Sequence, residues 1–158
     1  AFGEPLPPAF LKHSDEQTVI SLSAVLTAID RHGLASTSFV DWGILAASHF
    51  LGRTALVGVL ERFAAEGAWG VSPHIIPHRS LHSVSAMMSL ALKIGGPNLG
   101  VGGGPGATAE SLLLAASLLA EGQLPGVWVV VTGWEPEPVS ERRPAASPPV
   151  FPRSRPFA

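Results

Sequence analysis

No cysteine occurs in the chain. Disulfides, cysteine-ligated zinc or iron–sulfur centres and a cysteine nucleophile are therefore excluded. Charge is scarce as well. Asp, Glu, Lys and Arg make up 14% of the 158 residues, against about a quarter in ordinary globular domains. What charge there is nearly cancels: 10 Lys and Arg face 12 Asp and Glu, for a net charge of −2. A global electrostatic grip on nucleic acid is not expected from that balance. Long apolar runs are missing too, despite a mean hydropathy of +0.33. The longest, Leu112 to Ala120, is interrupted by Ser117 and falls far short of the about 20 residues a spanning helix requires. No basic segment followed by an apolar one opens the sequence, so neither a membrane span nor a signal peptide is expected, and a cytoplasmic location is the expectation.

What is present is apolar and well punctuated. Hydrophobic residues reach 46%, enough for a substantial core, and the length suits one domain. Residues 1–10 carry three prolines and read as an extended lead-in. Residues 136–158 hold seven of the fifteen prolines, with Arg142, Arg143, Arg153 and Arg155. That composition offers little apolar surface to offset ordering entropy, so a disordered tail is expected. The folded domain is expected over residues 11–135.

Within it, Ser14 and Gln17 form a candidate capping box, and Val19, Leu22, Val25, Leu26 and Ile29 come next at helical spacing up to a stop at Gly33. Trp42 to Ala47 reads as a short buried strand. Thr54 to Ala65 reads as a helix with Leu56, Val59, Leu60 and Phe63 on one face. The stretch GVSPHIIPH, with Pro73 and Pro77, reads as a loop. Ser80 to Ile94 is a third helix, with Val84, Met87, Met88 and Leu92 inward. Asn98 to Gly103 is a short strand, Thr108 to Glu121 a fourth helix, and Val127 to Gly133 a continuous apolar strand of the kind buried on both faces. Alternating strands and helices predict an α/β layered domain. The fourth helix carries leucine and alanine all round its axis, which predicts a central helix buried on every side.

That helix opens from a glycine-rich turn at Gly102, Gly103, Gly104, Gly106, Ala107 and Thr108. Free N–H groups and the helix dipole favour an anion or thiolate there. Gly104, Gly106 and Ala109 match a dinucleotide fingerprint formally. Pro105 removes a donor, however, and the first acidic residue after the next strand, Glu135, comes too late for a ribose contact. His74, His78 and His82 are spaced by four, but Pro73 and Pro77 break a helical face through them, and no carboxylate lies between Gly67 and Glu110. No metal site and no cofactor are expected. No G-x-S-x-G elbow occurs, so a serine hydrolase is set aside.

Taken in order, these segments resemble the N-terminal half of the β-ketoacyl synthases, in the thiolase-like superfamily. LKHSDEQTVISLSAVLTAIDRHGL is similar to their early helix. WGILAAS stands where their G-V-x-x-G-type strand stands. VSPHIIPHRSLHSVSAMMSLALKIGGPNL resembles the run from the Ser-Pro loop to Gly-Pro-Asn-Leu, with His82 where the family usually has Asn. GVGGGPGATAESLLLAASLLAEGQ and VWVVVTG resemble the nucleophile turn, its helix and the next strand. The resemblance spans about 125 residues and implies a thiolase-like layered α/β/α half-fold with a buried central helix over residues 108–121.

One departure bears directly on activity. The family's nucleophilic cysteine falls on Pro105. A thiolate there attacks an acyl thioester, whereas proline only suits the helix's first turn. The catalytic residues of the family's second half have no counterpart in this stretch either. The resemblance therefore implies a non-catalytic ketosynthase-like protein, akin to chain-length factors, with no condensing activity of its own. It further implies pairing through the strand Asn98, Leu99, Gly100 and Val101, as a homodimer or with an active ketosynthase, and an acyl carrier protein as a further partner. Two other readings stand beside it: an acyltransferase of the same superfamily using Thr108 or Ser111 as nucleophile, and a small-ligand module holding an anion at the glycine turn. Half of such a fold is expected to expose a large apolar face.

Overall fold

A computed structural model describes residues 11–139, apart from 74 and 103. The expected lead-in at 1–10 and most of the expected tail, 140–158, lie outside the described residues. Three parallel strands form one sheet in the order β2-β1-β3: β1 (Gly43–His49), β2 (Asn98–Gly100) and β3 (Val127–Gly133). Helices α1 (Glu16–Arg31), α2 (Arg53–Glu66), α3 (Ile75–Arg79), α4 (Ser83–Leu92) and α5 (Ala107–Ala120) complete the fold. The α/β expectation holds at this level.

The parity of the central strand divides the core. Ile44 and Ala46 face one way, into a cluster with Leu22, Val25 and Ile29 of α1 and Val84, Met88 and Leu92 of α4. Leu45 and Ala47 are equally buried but stand outside that cluster, toward α5, which packs on β1 and β3. The sheet therefore lies between α1 with α4 on one face and α5 on the other. Phe39, Trp42 and Trp128 close one end of the first layer, with Phe39 edge-on to both indoles at centroid distances of 5.0 and 5.6 Å.

Several local expectations change. The N-cap of α1 is Asp15, whose Oδ1 accepts from Thr18 N–H at 2.8 Å. Ser14 and Gln17 form no capping box; Gln17 turns inward instead. The buried face of α1 runs through Thr18, Ser21, Leu22, Val25 and Ile29, leaving Val19 and Leu26 exposed. The two polar positions select a face that hydrophobicity alone does not. The proline-containing loop at residues 70–78 includes a short helix, α3. Helix α2 forms as expected but buries none of its residues, and Leu56, Leu60 and Phe63 face outward.

The largest correction concerns α5. It is not buried all round: Ala107, Ser111 and Ala115 are buried, Leu114 and Leu118 are half-buried, and Leu112 and Leu113 are 56% and 71% exposed. The small residues let the helix lie close on the sheet, flanked by Leu114 and Leu118, and Leu112, Leu113 and Leu119 are left on the outer side. Strand β3 likewise occupies an edge rather than the middle of the described sheet, and Val130 is its one buried residue. Both α1 and α5 pack on it, yet its apolar run is only partly covered, with Val131 49% exposed.

Strand β2 is shorter than expected and forms the other edge. Its Gly100 has a reason internal to the chain: an added Cβ would strike the carbonyl of Leu81 at the start of the α4 layer. Gly104 has open space around it. Gly100→Ala should cost about 1–3 kcal/mol, as overpacking against backbone does, while Gly104→Ala should change stability by less than about 0.5 kcal/mol. Urea unfolding of the two variants checks this contrast.

Candidate functional site

Parallel strands point their C-terminal ends the same way, and in open α/β sheets that edge is where ligands bind. Here β1 and β3 end at His49 and Gly133, and the turn after β2 opens α5 beside them. The result is an open cavity of about 510 Å³. Gly104, Pro105, Ala107 and Thr108 of the expected turn line it together with His49 and Glu135 from the strand ends. Gly102 and Gly106 belong to the same turn without lining the cavity, and Gly103 lies outside the described residues.

The turn is built by glycine geometry. Gly102 has φ +64°, in the left-handed region. An added Cβ there would sit 2.7 Å from Ala107 Cβ and 3.3 Å from Glu110 Oε2. A Cβ on Gly106 would sit 3.2 Å from Glu110 Oε1. Glu110 therefore folds its carboxylate back over the turn, at the N-terminus of its own helix. Gly106, the N-cap, supplies no side-chain cap, so the carboxylate complements the positive end of the helix.

The two candidate hydroxyl nucleophiles differ sharply. Ser111 is fully buried and donates to Thr108 O at 2.8 Å, a bond within its own helix. Thr108 is exposed and lines the cavity. Pro105 is also exposed.

Beneath the strand ends lies a polar network that the sequence did not announce. Gln17 Nε2 donates to His49 O at 3.0 Å. Thr132 Oγ1 donates to Gln17 Oε1 at 2.7 Å and stands 3.1 Å from Ser48 Oγ. Gln17 and Ser48 are buried. One side chain of α1 thus ties the ends of β1 and β3 together directly below the cavity. The imidazole of His49 stacks on Phe50 at a centroid distance of 3.8 Å. His49 was legible only as the polar residue ending an apolar strand run; Gln17 had a competing local role as a helix cap.

The other sequence candidates are not gathered here. Asn98, Leu99, Gly100 and Val101 lie along the sheet edge, with Leu99 exposed. His82 precedes α4, with its Nδ1 3.2 Å from Ser85 Oγ, and His78 is in α3. His74 lies outside the described residues. Among the described residues no group of three or more His, Cys, Asp or Glu is placed to hold a metal ion, and no helix is long and apolar enough to cross a membrane.

No protein-family model matches the chain, and no curated protein matches it. The ketosynthase resemblance accordingly rests on the ordered sequence segments alone.

The network predicts unequal costs for its hydroxyls and amide. Gln17→Ala removes the donor to the His49 carbonyl and leaves the Thr132 hydroxyl only its Ser48 contact, and should cost about 1–3 kcal/mol. Ser111→Ala loses only a bond to its own helix and should cost less than about 1 kcal/mol. Chemical denaturation of both variants reads the difference.

Proposed function

We propose that the chain is a non-catalytic ketosynthase-like protein that pairs with a second copy or with an active ketosynthase in acyl-chain assembly, in the cytoplasm, with an acyl carrier protein as a further partner. The observation that carries this reading is the turn between β2 and α5. It has a strand end, a left-handed glycine and a helix start, and Pro105, which the sequence resemblance aligns with the family's nucleophile, is exposed on it. The thiolase-like topology is part of the same proposal; the three-layer α/β arrangement supports it without singling it out.

Two surfaces support a partner. Strand β2 leaves one edge open, with Leu99 40% exposed. Val101 N–H and Pro97 C=O bond into β1, so by strand alternation Asn98 and Gly100 turn their backbone groups outward. The outer face of α5 adds Leu112, Leu113 and Leu119. An open sheet edge and an exposed apolar helix face are each a usual mark of an interaction site.

A second reading, acyl transfer with a hydroxyl nucleophile, has one observation in its favour. Thr108 and His49 line the same cavity. Of the two candidate hydroxyls, only Thr108 is in reach of a ligand; Ser111 is committed inside the helix. The anion-binding reading of the turn is weakened by Glu110, whose carboxylate lies over it and repels a second negative charge.

Native mass spectrometry of the untagged chain from its own host tests the pairing. A mass equal to two copies, or to this chain plus a cysteine-bearing synthase, is the expected result. Val101→Asp and the more exposed Leu99→Asp should each convert that species to monomer while keeping the circular dichroism spectrum. A monomeric wild-type chain, or a dimer that survives both substitutions, overturns the pairing. Incubation with acyl thioesters should leave the intact mass unchanged; an acyl adduct on Thr108 would select the second reading.

A further inference from the structure

A second cavity lies away from the strand ends and shares no lining residue with the first. It measures about 910 Å³, within the about 300–1,000 Å³ of small-molecule sites. Helix α2 forms one wall, and the segment leading into α3, together with α3 itself, forms another.

Its charge is one-sided. Residues 11–139 contain six Lys and Arg: Lys12, Arg31, Arg53, Arg62, Arg79 and Lys93. Lys12, Arg62 and Arg79 line this one cavity, and among the described residues no Asp or Glu lines it. In a chain of net charge −2, that concentration is a local reversal of sign. The cations are also held differently. Arg79 Nη1 stands 3.8 Å from Asp15 Oδ2, on a buried carboxylate whose other oxygen caps α1. Arg62 Nε leans toward Gly58 O of its own helix at 3.4 Å. Lys12 is exposed at the rim. His13 and His78 add two imidazoles, with ring centroids 5.5 Å apart. Between the cations the lining turns apolar, with Ala55, Val59 and Ile75 half-buried.

We infer that this cavity binds a phosphate monoester. Two guanidinium groups and an ammonium suit a compact dianion, because guanidinium forks and phosphate oxygens match in geometry and charge-assisted hydrogen bonds form at each contact. The apolar strip from α2 to α3 receives the organic part of the ester. The site stands apart from the ketosynthase-like reading and survives its failure.

Phenyl phosphate, inorganic phosphate and phenol are the probes, titrated into the full chain by isothermal calorimetry. Phenyl phosphate should bind saturably, and inorganic phosphate about fivefold or more weakly for want of the apolar contact. Phenol should show no saturable binding. Lys12→Ala and Arg62→Ala, both at exposed positions, should each weaken phenyl phosphate about five- to tenfold. Val59→Glu should abolish binding by placing a carboxylate in the cavity. No saturable binding of phenyl phosphate up to about 10 mM overturns the site. So does unchanged affinity in a folded Lys12→Ala, Arg62→Ala double variant. Equal affinity for inorganic and phenyl phosphate overturns the role given to the apolar strip.

Discussion

Strand β1 is the element on which the other parts depend. It pairs with β2 along one edge and with β3 along the other, and six of its seven residues are buried. Alternation along it assigns Ile44 and Ala46 to the α1–α4 layer and Leu45 and Ala47 to the α5 side. A one-residue slip would exchange these sets and face each with the wrong helix surface. Its end fixes His49 and Ser48, and through them the Gln17 and Thr132 contacts that join α1 to both strand termini. Packing, register and the floor of the first cavity are thus consequences of one buried parallel strand.

The turn between β2 and α5 is shaped and answered by groups of the chain itself. Gly102 provides the left-handed step, Pro105 is compatible with an incipient helix, and Glu110 complements the helix N-terminus from within the chain. A site designed to hold an incoming anion would leave that positive end open. Here it is answered internally. Lys12, Arg62 and Arg79 instead line the α2–α3 cavity, where among the described residues no Asp or Glu joins the lining and Asp15 anchors Arg79 from behind.

The apolar surface is the third consequence of a small sheet. Three strands offer limited area, and α5 uses its small residues to approach it closely. Leu112, Leu113 and Leu119, the outer face of α2 and the fully exposed Trp69 are then left wholly or partly uncovered by the described residues. Full burial of such a side chain is worth about 1.5–3 kcal/mol, and the exposed fraction forgoes its share of that. That stabilisation is what an associating surface would recover.

Composition and spacing determined much of this. Three strands and four helices were legible because their apolar periods differ and because Gly33, Gly67 and the proline runs mark their ends. The α4 face through Val84, Met87, Met88 and Leu92 was legible for the same reason. The glycine turn was legible as a helix start. Whether α5 is central or peripheral was not, because an apolar helix and a buried helix share one pattern, and only the count of strands beside it decides which face is covered. Gln17 reads equally as a cap or as a core amide until α1 is placed against β3. Lys12, Arg62 and Arg79 are far apart in sequence, and no local pattern brings them together. Periodicity acts within a few residues, so the sequence by itself determined the elements. Layer order, the covered faces and the placing of distant cations around one cavity depend on contacts across the whole chain, and those the tertiary structure alone decided.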